Sequence, residues 1–196
     1  MRCFAIASGQ AAPEAGEHAV PAPDEMQPFD DPKLAAFFAH WRTRLRGSAW
    51  PRRADLEPTE IPKLLPHLMI TQRTLEGGER LRLVGTHIVD HLGFDPTRRD
   101  LCEMAGDGNF ADLCLELLAE TRRTGTVLHA GGRHLSPGGA TRLCQRIVCP
   151  LSDGGHGIDA TVSCVVFSAS RDGAPIGDGG PAYLEFTAPV PLHVLA

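Results

Sequence analysis

The chain has 196 residues, 42% hydrophobic and 22% charged, enough for one core with irregular ends and too few for two full ones. A formal net charge of −5 with a pI near 6.0 excludes a general phosphate-backbone binder, because counterion release needs clustered positive charge. No apolar run approaches the roughly 20 residues of a spanning helix, and MRCFAIASGQ is too short in apolar length for a secretory signal, so a cytoplasmic protein that binds neither nucleic acid nor membrane is expected.

Residues 8 to 28, rich in Ala, Pro, Glu and Gly, lack the apolar periodicity needed to offset their ordering entropy, and residues 1–30 read as a loose tail. Asp31 then caps a helix over 31–46, with Pro32 in its first turn and Leu34, Phe37, Phe38, Trp41 and Leu45 on one face before Gly47. That stripe packs either on its own sheet or on a second copy. From Trp50 to Pro66 four prolines rule out a regular strand, and Pro58, Thr59 and Glu60 open a short helical turn.

HLMITQRTL and RLRLVG flank Glu76, Gly77, Gly78 and Glu79, which predicts an antiparallel hairpin. Thr86 is read as the cap of a short helix carrying Ile88, Val89 and Leu92 and stopped by Gly93. Asn109 opens a longer helix with Phe110, Leu113, Cys114, Leu117 and Leu118 on its apolar face, ending before Gly125. TVLHAGGRH, ATRLCQRIVCPL and GIDATVSCVVFSAS follow as a three-stranded meander. In the middle strand Leu143, Gln145, Ile147, Cys149 and Leu151 share one face, nearly apolar apart from the glutamine. Residues 171–196 read as an irregular tail in which YLEF is a candidate short strand. The order predicts a single α+β domain over 31–170, with helices on one face of an antiparallel sheet.

Several segments resemble a known family, the PAS domain proteins of the PAS_5 group found in alphaproteobacteria. They are FFAHWRTRLRG, the connector WPRRADLEPTEIPKLLPHLMI, the element RLRLVGTHIVDHLGFDPTRRDL and the strand pair RIVCPLSDGGHGIDATVSCVVF, together covering about residues 33 to 168. In the family a glycine commonly follows the DPT-like turn, where this chain has Arg98. The resemblance implies a five-stranded antiparallel sheet covered by short helices, a small pocket or packed core between them, dimerisation, and signalling to partners. Leu83, His129, Gln145, Ile147 and Cys164 are then the candidate pocket lining from the sheet, with Ile88 and Leu117 approaching from the helices. Phe37, Phe38, Trp41, Arg42 and Leu45 are the candidate partner surface.

Other chemistry has weaker signatures in the sequence. His87 and His91 stand four apart on one helical face, but without HExxH or a third ligand in sequence they form no metal signature. The six cysteines, at 3, 102, 114, 144, 149 and 164, have mostly apolar neighbours and read as buried reduced thiols. Cys144 and Cys149, an odd number apart on one strand, should face opposite sides. No cofactor is required by the sequence: haem has only axial candidates such as His91 or His129, the flavin-adduct cysteine motif of light-sensing PAS domains is not evident, and no Walker-type loop or GxSxG occurs. Arg42, Arg44, Arg46, Arg52 and Arg53 make a locally basic region.

The sequence therefore reads as a non-catalytic PAS sensory or protein-interaction module, homodimeric, able to take a small-molecule ligand. No kinase, cyclase or DNA-binding segment follows the domain, so the expected output partner is a separate signalling protein. The alternative is a small thiol- or metal-dependent enzyme, which would show a reactive cysteine or a bound metal.

Overall fold

The computed structural model of the chain describes residue 29 and residues 31–45, 50–104, 110–135, 141–153, 157–169 and 184–190. The first helix, α1 (Pro32–Thr43), starts as its sequence dictates: Asp31 is extended and its carboxylate accepts from the Lys33 N–H at 2.8 Å, with proline in the first turn. It ends at Thr43 with Arg44 as the C-cap, so Leu45 lies beyond the helix. The candidate 1–30 tail lies outside the described residues except for Phe29, which is buried. Its ring meets Phe38 and His129 edge-on, with centroids 5.5 and 5.0 Å apart. The core therefore begins before the boundary at residue 31.

The proline-rich connector winds through three short 3-10 turns, Arg53–Asp55, Pro58–Glu60 and Leu65–His67. Proline has no N–H to donate to a ladder, and short i→i+3 turns are the local solution that fits. The connector is not surface filler, since Leu56, Ile61 and Leu64 are buried beside α1.

Strands β1 (Leu68–Arg73) and β2 (Glu79–Val84) form the predicted hairpin, with Gly77 at φ 87° in its turn and a register shift after Ile70. Next come α2 (Thr86–Leu92), α3 (Leu101–Met104) and α4 (Phe110–Thr124). The cap of α2 is Gly85 rather than Thr86: its backbone is extended and no side chain caps the helix. A side chain at Gly85 would meet the Pro66 carbonyl oxygen at 2.3 Å, so close approach of the connector decides that position. Gly93 ends α2 in the left-handed region, φ 77°, as expected for a C-terminal glycine. Asn109, the expected cap of α4, lies outside the described residues.

The meander is β3 (Val127–Leu135), β4 (Thr141–Leu151) and β5 (Ala160–Ala169), and β5 turns back to pair with β1. A further strand, β6 (Leu184–Val190), adds to β3, giving an antiparallel sheet in the order β2-β1-β5-β4-β3-β6. The candidate strand at YLEF is thus present, starting at Leu184 and running on to Val190, within a tail otherwise read as irregular. Without β6 the backbone groups on that edge of β3 would lack ladder partners, and β6 carries Pro189, which only an edge strand tolerates.

The sheet lies between two helical layers. On one face Phe37 and Trp41 of α1 pack with Ile147, Cys149, Val162 and Cys164. On the other, α2, α3 and α4 bury Ile88, Leu92, Leu101, Cys114 and Leu117 against Leu128, Cys144, Val148 and Val165. The nearly apolar face of β4 therefore meets α1 and the connector, not the helices that follow the hairpin. Both faces of β4 are buried, so alternation shows which residues share a side without showing which layer covers it.

Candidate functional site

The side of the sheet covered by α2, α3 and α4 carries an unusual amount of buried polarity. Thr71 and Thr161 face each other across β1 and β5, Oγ1 to Oγ1 2.6 Å. Ser163 and Thr121 are also buried. At the centre Arg146 of β4 is only 1% exposed. Its Nη1 donates to the Cys114 sulfur of α4 at 2.8 Å, and Cys144 adds a second sulfur contact. A buried guanidinium is costly unless its donors are used, and its contact with Cys114 links α4 to β4 directly.

At one margin of the layer Glu79 and Arg122 form a paired fork, with Nε to Oε1 2.8 Å and Nη2 to Oε2 2.7 Å. The third arginine nitrogen, Nη1, donates to the Ile158 carbonyl at 2.8 Å. Both side chains are about nine-tenths buried, 10% and 11% exposed. The fork fixes the C-terminal end of α4 to the start of β2 and to the chain just before β5.

A row of three imidazoles occupies the region around α2. His67, from the last 3-10 turn, lies 4.2 Å from His87 between ring centroids, and His87 lies 4.4 Å from His91. His91 in turn stacks on Phe167 of β5, 4.3 Å away and 6° from parallel. Nδ1 of His67 is 3.2 Å from the Val165 carbonyl, and Nδ1 of His91 is 2.8 Å from the His87 carbonyl. Nε2 of His87 is buried without a hydrogen-bond partner. Burial, then the neighbouring His67, His91 and Lys33, push the His87 imidazole down to about 4, against a weak opposing pull from Asp90. His67 is lowered for the same first reason. The expected His87 and His91 pair is real and acquires a third member, but among the described residues no three His, Cys, Asp or Glu side chains are disposed to hold a metal ion. Its members make a row of tilted rings rather than a converging set.

The seven expected pocket residues do not converge. Ile88 and Leu117 belong to the layer around Arg146. Ile147 and Cys164 pack on α1, His129 meets Phe29 on that same face, and Gln145 shares its strand parity with Ile147. Leu83 is 41% exposed on β2. The reading that placed them in one cavity is corrected by the second buried face of β4, which turns Arg146, not Gln145, towards α4. In sequence a cation on the face opposite Ile147 has the signature of a solvent side, so no local signal marks Arg146 as buried.

The expected partner residues are also redistributed. Phe37, Phe38 and Trp41 are buried within the chain, and Leu45 packs against their cluster, leaving Arg42 exposed. Of the basic region, Arg44 pairs with Glu60 and Arg52 with Asp55, while Arg46 lies outside the described residues.

Cys144 and Cys149 lie in opposite layers. Burial raises the Cys144 and Cys149 thiols and pushes Cys164 up to about 12, which suppresses the thiolate that a nucleophile needs. His91 and His129, the axial haem candidates, stand on different faces of the sheet.

A family model described as a PAS domain, PAS_5, matches residues 29–132. Among solved structures the chain is similar to a light-oxygen-voltage domain studied with a flavin analogue, at 11% identity over 58% of this chain and 84% of that one, TM-score 0.45. The LOV domain of the Erythrobacter litoralis EL346 blue-light activated histidine kinase matches at 16% identity over 53% and 95%, TM-score 0.41. The Vibrio cholera VqmA-ligand-DNA complex matches at 18% identity and TM-score 0.42, over 57% of this chain and 50% of that one, so the chain spans half the length of that relative. None of the curated proteins matches the chain.

Proposed function

The chain belongs to the PAS domain family, and from that premise we propose that it is a non-catalytic sensory and protein-interaction module that takes a small molecule between the sheet and helices α2 to α4. The observation that carries the reading is Arg146, buried to 1% exposure and in contact with Cys114. A desolvated guanidinium favours a ligand with acceptor oxygens, and Ile88 and Leu117 offer it apolar walls.

Signalling would follow from differential binding. A ligand that engages Arg146 competes for the contact between β4 and α4, so it shifts the population towards a state in which α4 sits differently on the sheet. The module works in the cytoplasm as a homodimer and passes that change to a separate signalling protein, without contacting nucleic acid or membrane.

Native mass spectrometry of the full chain tests this. The expected spectrum has a dimer with a small-molecule mass increment, and Arg146→Met keeps the dimer while losing the increment. A wild-type spectrum containing only unliganded monomer would overturn the reading.

A further inference from the structure

The edge of the sheet at β2 combines two surface features. All four exposed large hydrophobics among the described residues lie along it: Leu83 on the strand, Leu75 at the hairpin tip, Leu65 and Phe94. The Leu65 carbonyl is within 2.6 Å of where a Gly85 Cβ would stand, at the end of β2. Phe94 lies under Arg99, 5.7 Å from guanidinium to ring, and the Arg99 carbonyl accepts from the Leu81 N–H of β2.

The same edge is rich in arginine on a chain whose net charge is −5. Arg73, Arg80 and Arg82 line a surface recess with Gln72, Leu75 and Glu76, and Arg98 stands alongside. No ion pair among the described residues engages Arg73, Arg80 or Arg98, all exposed. Of the nearby carboxylates Glu79 is balanced by Arg122, whereas Asp95 and Asp100 keep their charge while accepting backbone N–H bonds from Thr97, Glu79 and Cys102 and form no ion pair among the described residues. Glu76 alone opposes the arginines in the recess.

Arg98 adds a backbone observation. It has φ 72°, the single positive-φ residue other than glycine among those described. An arginine is strained in that region where glycine is not, and strain retained at an exposed cation points to a use for the cation.

We propose that the β2 edge is a docking surface for an acidic segment of a partner protein bearing leucine- or phenylalanine-like side chains. Self-association through this surface is disfavoured, since a two-fold contact would set arginines against arginines. An acidic partner satisfies the unpaired guanidinium groups, and Leu83 and Leu75 supply the apolar contact. The inference rests on the interaction half of the proposed function and names its surface.

The test uses the full chain and a labelled synthetic peptide of Glu, Asp, Leu and Phe, followed by fluorescence anisotropy. Controls are the same peptide with Lys at every acidic position, and vesicles of phosphatidylserine and phosphatidylcholine. Expected are saturable binding of the acidic peptide that weakens with salt, no binding of its lysine counterpart, and at least about tenfold weaker binding by Arg80→Glu/Arg82→Glu. Arg98→Gly should weaken binding while leaving the melting temperature equal or higher, a pairing that a merely structural role would not give. Equal binding of both peptides, undiminished binding by the charge-reversed protein, or binding of vesicles without binding of the acidic peptide would overturn the proposal. Ligand occupancy and subunit number, read by mass spectrometry, do not depend on these side chains, so failure of the module reading is separable from failure of this surface.

Discussion

The indole N–H of Trp41 donates to the carbonyl of Pro150 at 3.1 Å, across 109 residues of sequence. Proline cannot donate, but its carbonyl still can accept, so the tryptophan fixes α1 onto β4 at a place where the strand has no N–H to offer. The ring is fully buried and stacks near Phe38. Trp41→Phe should cost about 1–2 kcal/mol through the lost bond and volume, and Trp41→Ala about 3–5 kcal/mol. Urea unfolding followed by far-UV circular dichroism measures both, and a Trp41→Ala cost below that of Trp41→Phe would contradict the packing.

The Glu79 and Arg122 fork makes a second test. Removing one partner leaves a nearly buried charge, so Glu79→Gln or Arg122→Met alone should destabilise by about 3–5 kcal/mol, and the double replacement by less than the sum. A double-mutant cycle in urea reads the coupling. Additive losses would mean the two side chains do not act as a pair.

Gly125 closes α4 with φ 68°, and an added Cβ would lie 3.0 Å from Cζ2 of Trp50, whose Nε1 donates to the Gly125 carbonyl. Gly125→Ala should therefore lose about 1–2 kcal/mol from the left-handed backbone, with a change in Trp50 fluorescence as the indole is displaced. A variant as stable as the parent would show that the turn relaxes at no cost.

The histidine row makes stability depend on pH with a definite sign. His87 is pushed down to about 4 in the folded chain, whereas an unfolded histidine titrates near roughly 6.5. The unfolded state therefore binds a proton first. Stability is unaffected by this group above the unfolded value, falls as pH drops from there towards about 4, and falls no further on its account below that. Facing charges are His67, His91, Lys33 and Asp90. Replacing His87 with Leu should flatten the decline in urea midpoint between about pH 7 and about pH 4.5 relative to the parent. Parallel curves would place the acid sensitivity elsewhere.

Local signals account for the elements that were legible. Asp31 and Pro32 announce α1, Gly77 the hairpin turn and Gly93 the end of α2, each through a backbone preference that a few residues carry. The cap at Gly85 and the pairing of β6 were not legible in the same way, although YLEF marks a strand at that position. One depends on the approach of Pro66, the other on an edge of β3 more than fifty residues upstream.

Alternation along β4 likewise told which side chains share a side, and the separation of Cys144 from Cys149 followed from it. It did not tell that Ile147 meets α1 while Arg146 meets α4, because both faces are covered. The row His67, His87 and His91 and the arginines around β2 each join segments that are distant in sequence, and no local pattern marks their meeting.

By itself, the sequence determined α1, α2, α4, the hairpin, the meander and the family resemblance, all of which rest on short-range periodicity, turn chemistry and motif. Only the tertiary structure decided which layer covers each face of the sheet, which polar groups lie at its centre and which cations stay unpaired at its edge. Those outcomes depend on strand pairing and on desolvation, and both are set by contacts between residues far apart in the chain.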